Sequence, residues 1–324
     1  ALSLFRSFFG AYFFYINLVE IKSVLPKVDL MKEIEVGFVA YTRGDVVVPP
    51  VGELQFESPP GDVHIKYGYI KNDDVYVIKI ASGFPRNSDR GIPNGNGMML
   101  VFNQKTGEPM AILKDEAHLT DVRTAVAGAI CAKYLSPKIV SNIGIVGTGL
   151  QAKMQLNYLK KIIDCNNVFV WGRSETSLLK YQSTMIDTDY KIITTTNIND
   201  VINNCQLIVT CTSSETPLIN HVNPGTHITA MGSDTLTKQE LVTSILMKAD
   251  LVVADSKSQC EVRGEIYQAL KSNDFSMDDV VELGEVLSGK TTGRTSDSQI
   301  TIADLTGVAV QDIQISKAVL KYLL

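Results

Sequence analysis

One short glycine-rich segment of the chain has residue types and a spacing that could hold a phosphate group. The segment GTGLQA (147–152) has a GxGxxA pattern and follows the apolar run 143–146. Gly147 permits a tight turn, Gly149 lets the backbone approach a pyrophosphate, and Ala152 allows a helix to pack closely on the strand. The start of that helix would present unpaired N–H groups to an anion. We therefore predict dinucleotide binding here, with an ordinary strand-to-helix turn as the alternative.

The end of the next predicted strand indicates which dinucleotide is bound. An Asp or Glu that binds the ribose is expected about 20 residues after the glycines. The strand NVFVWG (167–172) instead continues with Arg173 and Ser174. Because a guanidinium and a hydroxyl suit a 2′-phosphate, we predict that NADP(H) is preferred and that NAD(H) is possible. Glu175 lies close by in the sequence, and an exposed Arg173 without a ligand is the alternative.

A later apolar strand is predicted to lead into the nicotinamide end of the same site. The strand is QLIVTCT (206–212), and the carboxyl ends of parallel strands border the ligand crevice of such folds. The predicted cofactor-binding residues are therefore Gly147, Thr148, Gly149, Leu150, Gln151, Trp171, Gly172, Arg173, Ser174, Thr212 and Ser213.

Arg123 is the first of three cationic residues that could bind a carboxylate. It lies in the helical segment TDVRTAVAGAICAKYL (120–135), for which Thr120 is the predicted N-cap, so that Arg123 would fall in the first turn. A cation there is unfavourable in the field of the helix dipole. The cost is explained if Arg123 holds an anion, such as a substrate carboxylate, that the helix end also favours. An exposed arginine is the alternative.

Lys66 and Lys79 are predicted to lie on adjacent strands of a hairpin. The strands are HIKYGYI (64–70) and VYVIKIASG (75–83), separated by a turn. The periodicity of the apolar residues places Lys79 on the solvated face, whereas a buried lysine would have a depressed pKa and a functional role. Two lysines on adjacent strands beside Arg123 would form a cationic pocket for a small carboxylate.

Asp234 is a candidate proton carrier. It follows the strand HITAMG (227–232), whose carboxyl end would border the ligand crevice. A carboxylate close to a nicotinamide could hold or deliver a proton. The alternative is that Asp234 caps the next helix.

The elements that must position these residues fall into two groups. From Thr120 to about residue 300, apolar strands alternate with helices, which predicts an α/β fold with a Rossmann-type doubly wound parallel sheet. Before residue 120 the pattern is α+β, with two helices (17–25 and 32–41), a loop-rich segment (49–62) and antiparallel hairpins. A last strand and helix (301–324) follow the alternating region.

Composition and charge exclude several classes of protein. The 324 residues are 45% hydrophobic and 20% charged, with a net charge of −5 and no Lys/Arg block, so we expect no nucleic-acid partner. Five scattered cysteines without a CxxC pair suit a reducing compartment, and we expect a cytoplasmic protein. The four histidines form no HxxxH pair, which argues against a metal site.

The aromatic N-terminal segment (1–14) is not predicted to be a membrane anchor. Its uninterrupted apolar run, residues 7–16, is shorter than the ~20 residues that span a bilayer, and no signal-peptide cleavage site is evident. We expect no membrane association, and interpret the segment as a leader, an expression remnant or a packing arm.

The order and spacing of six motifs resemble those of the ornithine cyclodeaminase/μ-crystallin family. The resemblance runs from about residue 16 to the C-terminus, and no single motif decides it. The motifs are VIKIASG with Lys79, LTDVRTAVAGAICAKYL with Arg123, IGIVGTGLQA, ITAMGSDTLTKQEL with Asp234, EVRGEI (261–266) and TGVAVQD (306–312).

The resemblance implies an inserted domain arrangement. In this family a substrate-binding and dimerisation domain comes first, the Rossmann domain is inserted, and the C-terminal segment returns to the first domain. Residues 1–121 with 301–324 would form the first domain and 122–300 the second, in a homodimer.

The resemblance also implies residue roles and activities. Arg123 and Lys79 would bind the substrate carboxylate, and Asp234 would act on the reacting nitrogen or on water. Members of the family cyclise ornithine to proline with loss of ammonia and catalytic NAD, reduce cyclic imines or imino acids with NAD(P)H, or bind ligands with little known turnover.

The sequence departs from the cyclodeaminase pattern in its charges. Lys66 stands where cyclodeaminases have an active-site glutamate, and Pro50 lies near the place of a carboxylate-binding arginine, whose charge Lys66 would replace. The acid at the second strand end is replaced by GRS (172–174). These departures favour a net reductase over a cyclodeaminase, which regenerates its own NAD.

The predicted function is therefore an NAD(P)H-dependent oxidoreductase acting on C=N or CH–NH bonds. The favoured reaction is reduction of a small cyclic imino acid, Δ1-pyrroline-2-carboxylate to L-proline. Lys79, Arg123 and Lys66 would hold the carboxylate, and Asp234 or a water that it holds would keep the imine nitrogen protonated. The alternatives are an ornithine or lysine cyclodeaminase, a non-catalytic NADP-dependent binding protein of the μ-crystallin type, and an N-alkyl amino-acid dehydrogenase.

Overall fold

The two groups of elements form two separate units in the computed structural model. The first unit comprises Ala1–Arg123 and Val308–Leu324, and the second comprises Thr124–Gly307. The chain therefore leaves the first unit once and returns to it with its last segment. The structure describes residues 3–6, 12–186, 188–272 and 274–323.

The described elements before the division of the chain are, in order, β1 (Ser3–Arg6), β2 (Tyr12–Asn17), α1 (Leu18–Val24), α2 (Leu30–Thr42), β3 (Val46–Val47), β4 (Gly52–Glu57), β5 (Pro60–Ile70), β6 (Val75–Gly83), β7 (Gly95–Asn103) and β8 (Pro109–Lys114). Helix α3 (His118–Leu135) crosses from the first unit into the second. Short 3-10 helices span Leu25–Lys27, Pro85–Arg90 and Met277–Asp279.

The second unit continues with β9 (Ile143–Val146), α4 (Leu150–Leu159), β10 (Asn167–Trp171), α5 (Glu175–Ser183), β11 (Lys191–Thr195), α6 (Ile198–Asn204), β12 (Leu207–Thr210), β13 (His227–Ala230), α7 (Thr243–Lys248), β14 (Leu251–Ala254), α8 (Lys257–Cys260), α9 (Gly264–Leu270), β15 (Val280–Glu282), α10 (Leu283–Leu287) and β16 (Thr301–Asp304). Helix α11 (Ala309–Leu323) belongs to the first unit. None of the described helices has the length and hydropathy needed to span a bilayer.

The sheet of the first unit carries its helices on an apolar inner face. Its strands lie in the order β1-β2-β8-β7-β6-β5-β3, with β4 also paired to β5; β2 and β8 are parallel. One row of cross-strand partners on the inner face runs through Lys66, Lys79, Met99 and Leu113. Met99 and Leu113 are fully buried, and α11 packs over β5 and β6. This packing decides which side chains the two lysines meet.

Helix α11 packs closely against α2 at a glycine of α2, Gly37. At Gly37 of α2, a Cβ atom would lie 2.7 Å from Cγ of Gln314 and 3.3 Å from Cγ2 of Val310, so a larger residue would push the helices apart. Every residue of α11 from Ala309 to Ser316 is buried, including the polar Gln311 and Asp312. The close packing therefore holds two polar side chains over the lysine row.

The segment 49–62, predicted to be a loop, contains a strand instead. Strand β4 pairs with β5 in antiparallel register, with Gly52 opposite Ile65 and Glu57 opposite Pro60. Five of the six β4 residues are exposed, so no alternation of buried apolar residues marked the strand. At the N-terminus, residues 1–2 and 7–11 of the predicted arm lie outside the described residues, and β2 joins the sheet beside β8.

The second unit confirms the predicted α/β fold with a doubly wound parallel sheet. Its strand order is β11-β10-β9-β12-β13-β16-β14-β15, and the neighbouring strands run parallel. This is the Rossmann order with β16 inserted between the fifth and sixth strands. The carboxyl ends of β9, β10 and β12 therefore meet at one edge of the sheet.

The structure divides the chain at different residues from those we predicted. The return to the first unit occurs after Gly307 rather than after residue 300, because β16 pairs with both β13 and β14 of the parallel sheet. At the other crossing the division falls after Arg123, so that Arg123 remains in the first unit.

Candidate active site

The predicted cofactor residues surround a cleft of about 340 Å³ at the carboxyl edge of the parallel sheet. Nine of the eleven line it, whereas Leu150 and Gln151 lie in the first turn of α4 outside the lining. Four further lining residues were not predicted, and two of them, Cys211 and Ser214, directly flank the predicted Thr212 and Ser213. The lining consists of Gly147, Thr148, Gly149, Trp171, Gly172, Arg173, Ser174, Ser177, Cys211, Thr212, Ser213, Ser214 and Leu218.

Gly147 is required by the backbone itself. Its φ is +131°, which disfavours any residue with a side chain, and a Cβ atom would lie 2.9 Å from the carbonyl oxygen of Cys211. The Gly147 N–H donates to the carbonyl of Trp171, and the Cys211 N–H donates to the carbonyl of Val146. The turn after β9 is thus tied to the strands on both sides.

Gly149 is not required by any neighbour within the protein. It is the N-cap of α4, it has an ordinary φ of −82°, and a Cβ atom there would meet nothing within 4 Å. No side chain caps this helix end. The first N–H groups of α4 therefore face open space, where they and the helix dipole favour an anion.

Arg173 and Ser174 lie at the end of β10, as predicted. The Ser174 hydroxyl caps α5 by accepting from the Ser177 N–H at 3.3 Å, and Arg173 is exposed. Among the described residues that line the cleft, Arg173 is the only charged one, and Glu175 does not take part. The β10 end of the cleft is consequently cationic.

In the first unit, Lys66, Lys79 and Arg123 are all buried, with 7%, 3% and 5% of their surface exposed. The expectation that Lys79 would be solvated was wrong, since α11 covers the inner face of the sheet. Asp312 of α11 pairs with two of the cations. Its Oδ2 lies 3.4 Å from Lys79 Nζ, and its Oδ1 accepts from Arg123 Nε at 3.1 Å. Arg123 Nη1 also donates to Oε1 of Gln311 at 3.0 Å.

The charges of this cluster are set by burial and by each other. Burial alone would raise the pKa of Asp312, but Lys79, Arg123 and Lys66 together hold it below its usual value. Burial lowers the pKa of Lys79 to about 8, with Asp312 opposing this shift and Arg123 adding to it. At neutral pH the ionised carboxylates of Asp312 and Asp115, which both act on the charge of Lys79, thus lie among three cations. The cluster can accept a further anion, and the buried Nε2 of Gln311 has no hydrogen-bond partner among the described residues.

The start of α3 differs from the prediction. The helix begins at His118, so Thr120 is not its N-cap and Arg123 lies in the second turn. Asp115 occupies the helix end, where its Oδ2 accepts from the Leu119 N–H at 2.8 Å. The anion at the N-terminal end of the α3 dipole is therefore the Asp115 carboxylate. The carboxylate that pairs with Arg123 is Asp312 of α11. Asp312 was not predicted as a site residue, although QD (311–312) is a polar pair within an apolar helix.

Asp234 lies after β13 and its side chain is 42% exposed. Lys238 Nζ donates to its Oδ1 at 2.7 Å, and Arg263 Nη1 donates to its main-chain carbonyl at 3.4 Å. The alternative role as a helix N-cap is not realised, because the next helix, α7, begins at Thr243. Asp234 is thus an accessible carboxylate on a turn in the second unit.

The whole chain matches one family model. The model of the ornithine cyclodeaminase/mu-crystallin family aligns with residues 15–323, which spans both units. The chain belongs to this family. The resemblance inferred from the six motifs is thereby confirmed.

Members of the family with different activities are similar to this chain. An uncharacterized cyclodeaminase, y4tK of Sinorhizobium fredii, is 36% identical over 303 residues, 92% of each chain. A Δ1-pyrroline-2-carboxylate reductase of Bacillus thuringiensis subsp. konkukian is 28% identical over 306 residues, 93% of this chain and 92% of the relative. The solved structure of an archaeal alanine dehydrogenase dimer with bound NAD is also similar. Its sequence is 32% identical to this chain, the match covers 96% of this chain and 97% of the dehydrogenase chain, and the TM-score is 0.86.

The reductase and the dehydrogenase among these relatives confirm the predicted enzyme class, a nicotinamide-dependent oxidoreductase acting on C=N or CH–NH bonds. They differ in the compounds for which they are named. The names of the relatives therefore do not identify the substrate or the preferred cofactor of this chain.

The buried Asp115 yields a test of the cluster's electrostatics. Burial raises its pKa from 3.8 to about 6. Because folding raises this pKa, the native state binds more protons between these values, and stability falls as pH rises through the window. Asp115→Asn keeps an oxygen for the Leu119 N–H but cannot ionise. Relative to wild type it should gain up to about 3 kcal/mol of unfolding free energy between about pH 4 and pH 6, and no more above.

Urea unfolding followed by circular dichroism at a series of pH values measures this gain. Asp89→Asn, at an exposed site in the same unit, is the matched control and should show a constant difference from wild type. A constant difference for Asp115→Asn as well would mean that Asp115 does not titrate in this window.

Proposed function

We propose that the chain reduces a small cyclic imino acid with NAD(P)H, and that the favoured reaction converts Δ1-pyrroline-2-carboxylate to L-proline. The observation that carries this proposal is Lys66. It lies opposite Lys79 on the buried row of the first sheet, where cyclodeaminases have a glutamate. A third cation there favours binding of the carboxylate, and it removes the acid that a cyclodeaminase would use.

The cleft of the second unit fits a nicotinamide dinucleotide. The open space at Gly149 and the uncapped start of α4 suit a pyrophosphate, because a side chain at this position would fill the space. Gly147, Thr148 and Gly149 would hold the phosphates, and Thr212 and Ser213 would border the nicotinamide. When bound, the dinucleotide supplies the hydride that reduces the C=N bond.

The residues of the chain itself would bind the substrate and control its proton. Arg123, Lys79 and Lys66 would hold the carboxylate, and Lys79 stays mostly charged below its pKa of about 8. Asp234, or a water that it holds, would keep the imine nitrogen protonated, which makes the adjacent carbon electrophilic. Fixing the substrate in this orientation would account for much of the rate acceleration.

A cyclodeaminase is the second candidate, because y4tK is named as one and is 36% identical to this chain. Two assays separate the candidates. One follows absorbance at 340 nm with NADPH or NADH and Δ1-pyrroline-2-carboxylate, and the other follows ammonia release from ornithine with NAD. Rapid oxidation of NADPH supports the reductase. Formation of ammonia and proline from ornithine would overturn the proposal. Oxidation of NADPH or NADH with pyruvate and ammonia, but not with Δ1-pyrroline-2-carboxylate, would indicate an open-chain imine as the substrate.

We further propose that NADP(H) is preferred and that Arg173 recognises its 2′-phosphate. The supporting observation is that Arg173 is exposed at the end of β10 and provides the only charge among the described lining residues. An acid that would repel this phosphate does not line the described cleft.

We also propose a homodimer formed through the outer face of the first sheet. Its central row, Tyr67, Ile78, Leu100 and Ile112, is apolar, and the adjacent row contains Tyr69 beside the stacked pair of Tyr76 and Phe102. Tyr67, Tyr69 and Met98 are 37–38% exposed in the single chain. An extended apolar face of this kind is typical of an interface.

The carboxylate site predicts a large effect of single substitutions. Lys79→Ala and Arg123→Ala should each lower kcat/KM for the imino acid by about 100-fold, since each removes a charged hydrogen bond of about 1.5–3 kcal/mol. The 340 nm assay with purified variants measures this. Lys317→Ala is the matched control, because Lys317 lies on α11 but pairs with Asp73, away from the cluster. Wild-type kcat/KM in Lys79→Ala or Arg123→Ala would refute the site assignment.

The cofactor proposal predicts a change in selectivity. Arg173→Ala should lower kcat/KM for NADPH by about 10–100-fold and leave that for NADH within about threefold, because one charge-assisted contact to the 2′-phosphate is lost. Initial rates with both cofactors give the ratio. Lys180→Ala, at an exposed cation on α5 outside the cleft, should leave the ratio unchanged. An unchanged ratio in Arg173→Ala would remove the basis for the NADP(H) preference.

The interface proposal predicts a monomer on charge insertion. Ile78→Lys, in the central row of the outer face, should convert the dimer to a folded monomer, because a charge would be buried without a partner. Sedimentation velocity measures the mass. Val19→Lys is the control, since Val19 is 77% exposed on α1 of the same unit and should leave the mass unchanged. A dimer in Ile78→Lys would place the interface elsewhere.

A further inference from the structure

Glu240 is a fully buried carboxylate behind the wall of the cleft, and both of its oxygens are used. Oε1 accepts from the Thr212 N–H at 2.6 Å and from the Thr212 hydroxyl at 2.7 Å. Oε2 accepts from the Thr210 hydroxyl at 2.7 Å and from the Gly232 N–H at 2.9 Å. Four donors from two different strand ends therefore converge on one side chain.

The carboxylate adds a side-chain link between the segments after β12 and β13, next to the main-chain bond from the Met231 N–H to the Thr210 carbonyl at 3.1 Å. Thr212 follows β12, and Gly232 follows β13. A Cβ atom at Gly232 would overlap the carbonyl oxygen of Thr212 and would lie 2.6 Å from Cδ of Glu240. Glycine at this position therefore allows the two peptides to close around the carboxylate.

Glu240 is itself held in place by its surroundings. Its carbonyl accepts from the N–H groups of Leu218 and Ile219, and its N–H donates to Oε1 of Glu265 at 2.6 Å. The other oxygen of Glu265 accepts from the Leu241 N–H at 3.1 Å. A buried polar network with this many partners has one well-defined geometry, which suits a group that positions others.

The residues next to the clamped peptides are those with proposed roles. Thr212 lines the cleft together with Ser213 and Ser214, and the Ser214 N–H donates to the Thr212 hydroxyl at 3.2 Å. Asp234 lies two residues after Gly232. One side chain therefore sets the backbone of the cleft edge and that of the turn carrying Asp234.

We propose that Glu240 is a positioning residue that locks the nicotinamide edge of the cleft, Thr212–Ser214, to the turn that carries Asp234. The inference rests on the proposed function, because it assumes that the nicotinamide end of the cofactor lies at this edge. Glu240 touches neither cofactor nor substrate. It acts through the peptides of Thr212 and Gly232, and the adenosine end of the site at Arg173 and Ser174 lies outside its reach.

This placement makes Glu240→Gln distinguishable from a general loss of structure. An amide would present N–H groups to two of the four donors and would release one loop. We expect kcat to fall about 100-fold, as a displacement of about 1 Å can cause. The Kd of NADPH should rise about 10-fold, whereas the Kd of 2′-phospho-ADP-ribose, which lacks the nicotinamide, should change less than about twofold. A purely structural role would weaken both ligands equally.

Binding is measured through Trp171, the only tryptophan of the chain, which lines the cleft. Quenching of its fluorescence gives the Kd of both ligands, with NADH and ADP-ribose used in parallel. Asp255→Asn is the matched control. Asp255 is an equally buried carboxylate that accepts from the Thr306 hydroxyl at 3.0 Å and the Gly307 N–H at 2.6 Å, away from the cleft. It should lower Tm without separating the two Kd values.

Two variants at Thr210 test the same proposal if Glu240→Gln does not fold. Thr210→Val removes one donor to Glu240 at a buried position outside the cleft, and Thr210→Ser restores the hydroxyl. The valine variant should show the same separation between the two ligands at about 3–10-fold, because the other three donors to Glu240 remain, and the serine variant should return to wild-type values.

The outcomes separate the inference from the function on which it rests. If wild type binds and oxidises NADPH but Glu240→Gln weakens both ligands equally, or neither, the positioning role is wrong and the proposed function stands. If wild type binds NADPH without reducing the imino acid, the substrate proposal fails, while separated Kd values in Glu240→Gln still support the positioning role. If wild type binds no nicotinamide dinucleotide, both proposals fall.

Discussion

The first unit depends on one interaction, the contact of the Asp312 carboxylate with the buried cations Lys79 and Arg123. Burying a cation without a partner costs several kcal/mol, so this anion stabilises both side chains inside the unit. Asp312 lies 189 residues after Arg123, which explains why the chain must return to the first unit at its end. The glycine in α2 and the register of β5 with β6 serve the same contact, since they bring helix and lysine row together.

The two units use buried carboxylates in different ways. In the first unit, Asp312 holds cations and leaves an excess of positive charge that suits an anionic substrate. In the second unit, Glu240 holds neutral N–H and hydroxyl donors at two strand ends, and so shapes a cleft without adding charge to its lining. In both cases a carboxylate hidden from solvent fixes groups that would otherwise move, which is the preorganisation that catalysis at fixed geometry requires.

Relatives of this chain are named for different chemistries, including a cyclodeaminase, an alanine dehydrogenase and an imine reductase. In the proposed function, Lys66 adds a cation beside the substrate and Arg173 adds one beside the cofactor. One fold can support several reactions when a few side chains at its sites differ.

The sequence by itself determined the parallel sheet, the glycine turn, the residues at the end of β10 and the family, because these depend on local periodicity and on motifs with a fixed spacing. It did not predict strand β4, whose exposed residues leave no apolar pattern. It also did not predict that α3 starts at His118, directly after two residues of positive φ, Glu116 and Ala117. It placed Lys79 in solvent, since alternation cannot tell which face of a sheet a distant helix will cover. Only the tertiary structure brought Asp312 to Lys79 and Arg123, and Glu240 to Thr212 and Gly232. Those partners lie far apart in sequence, and pairing between distant polar residues has no local signal.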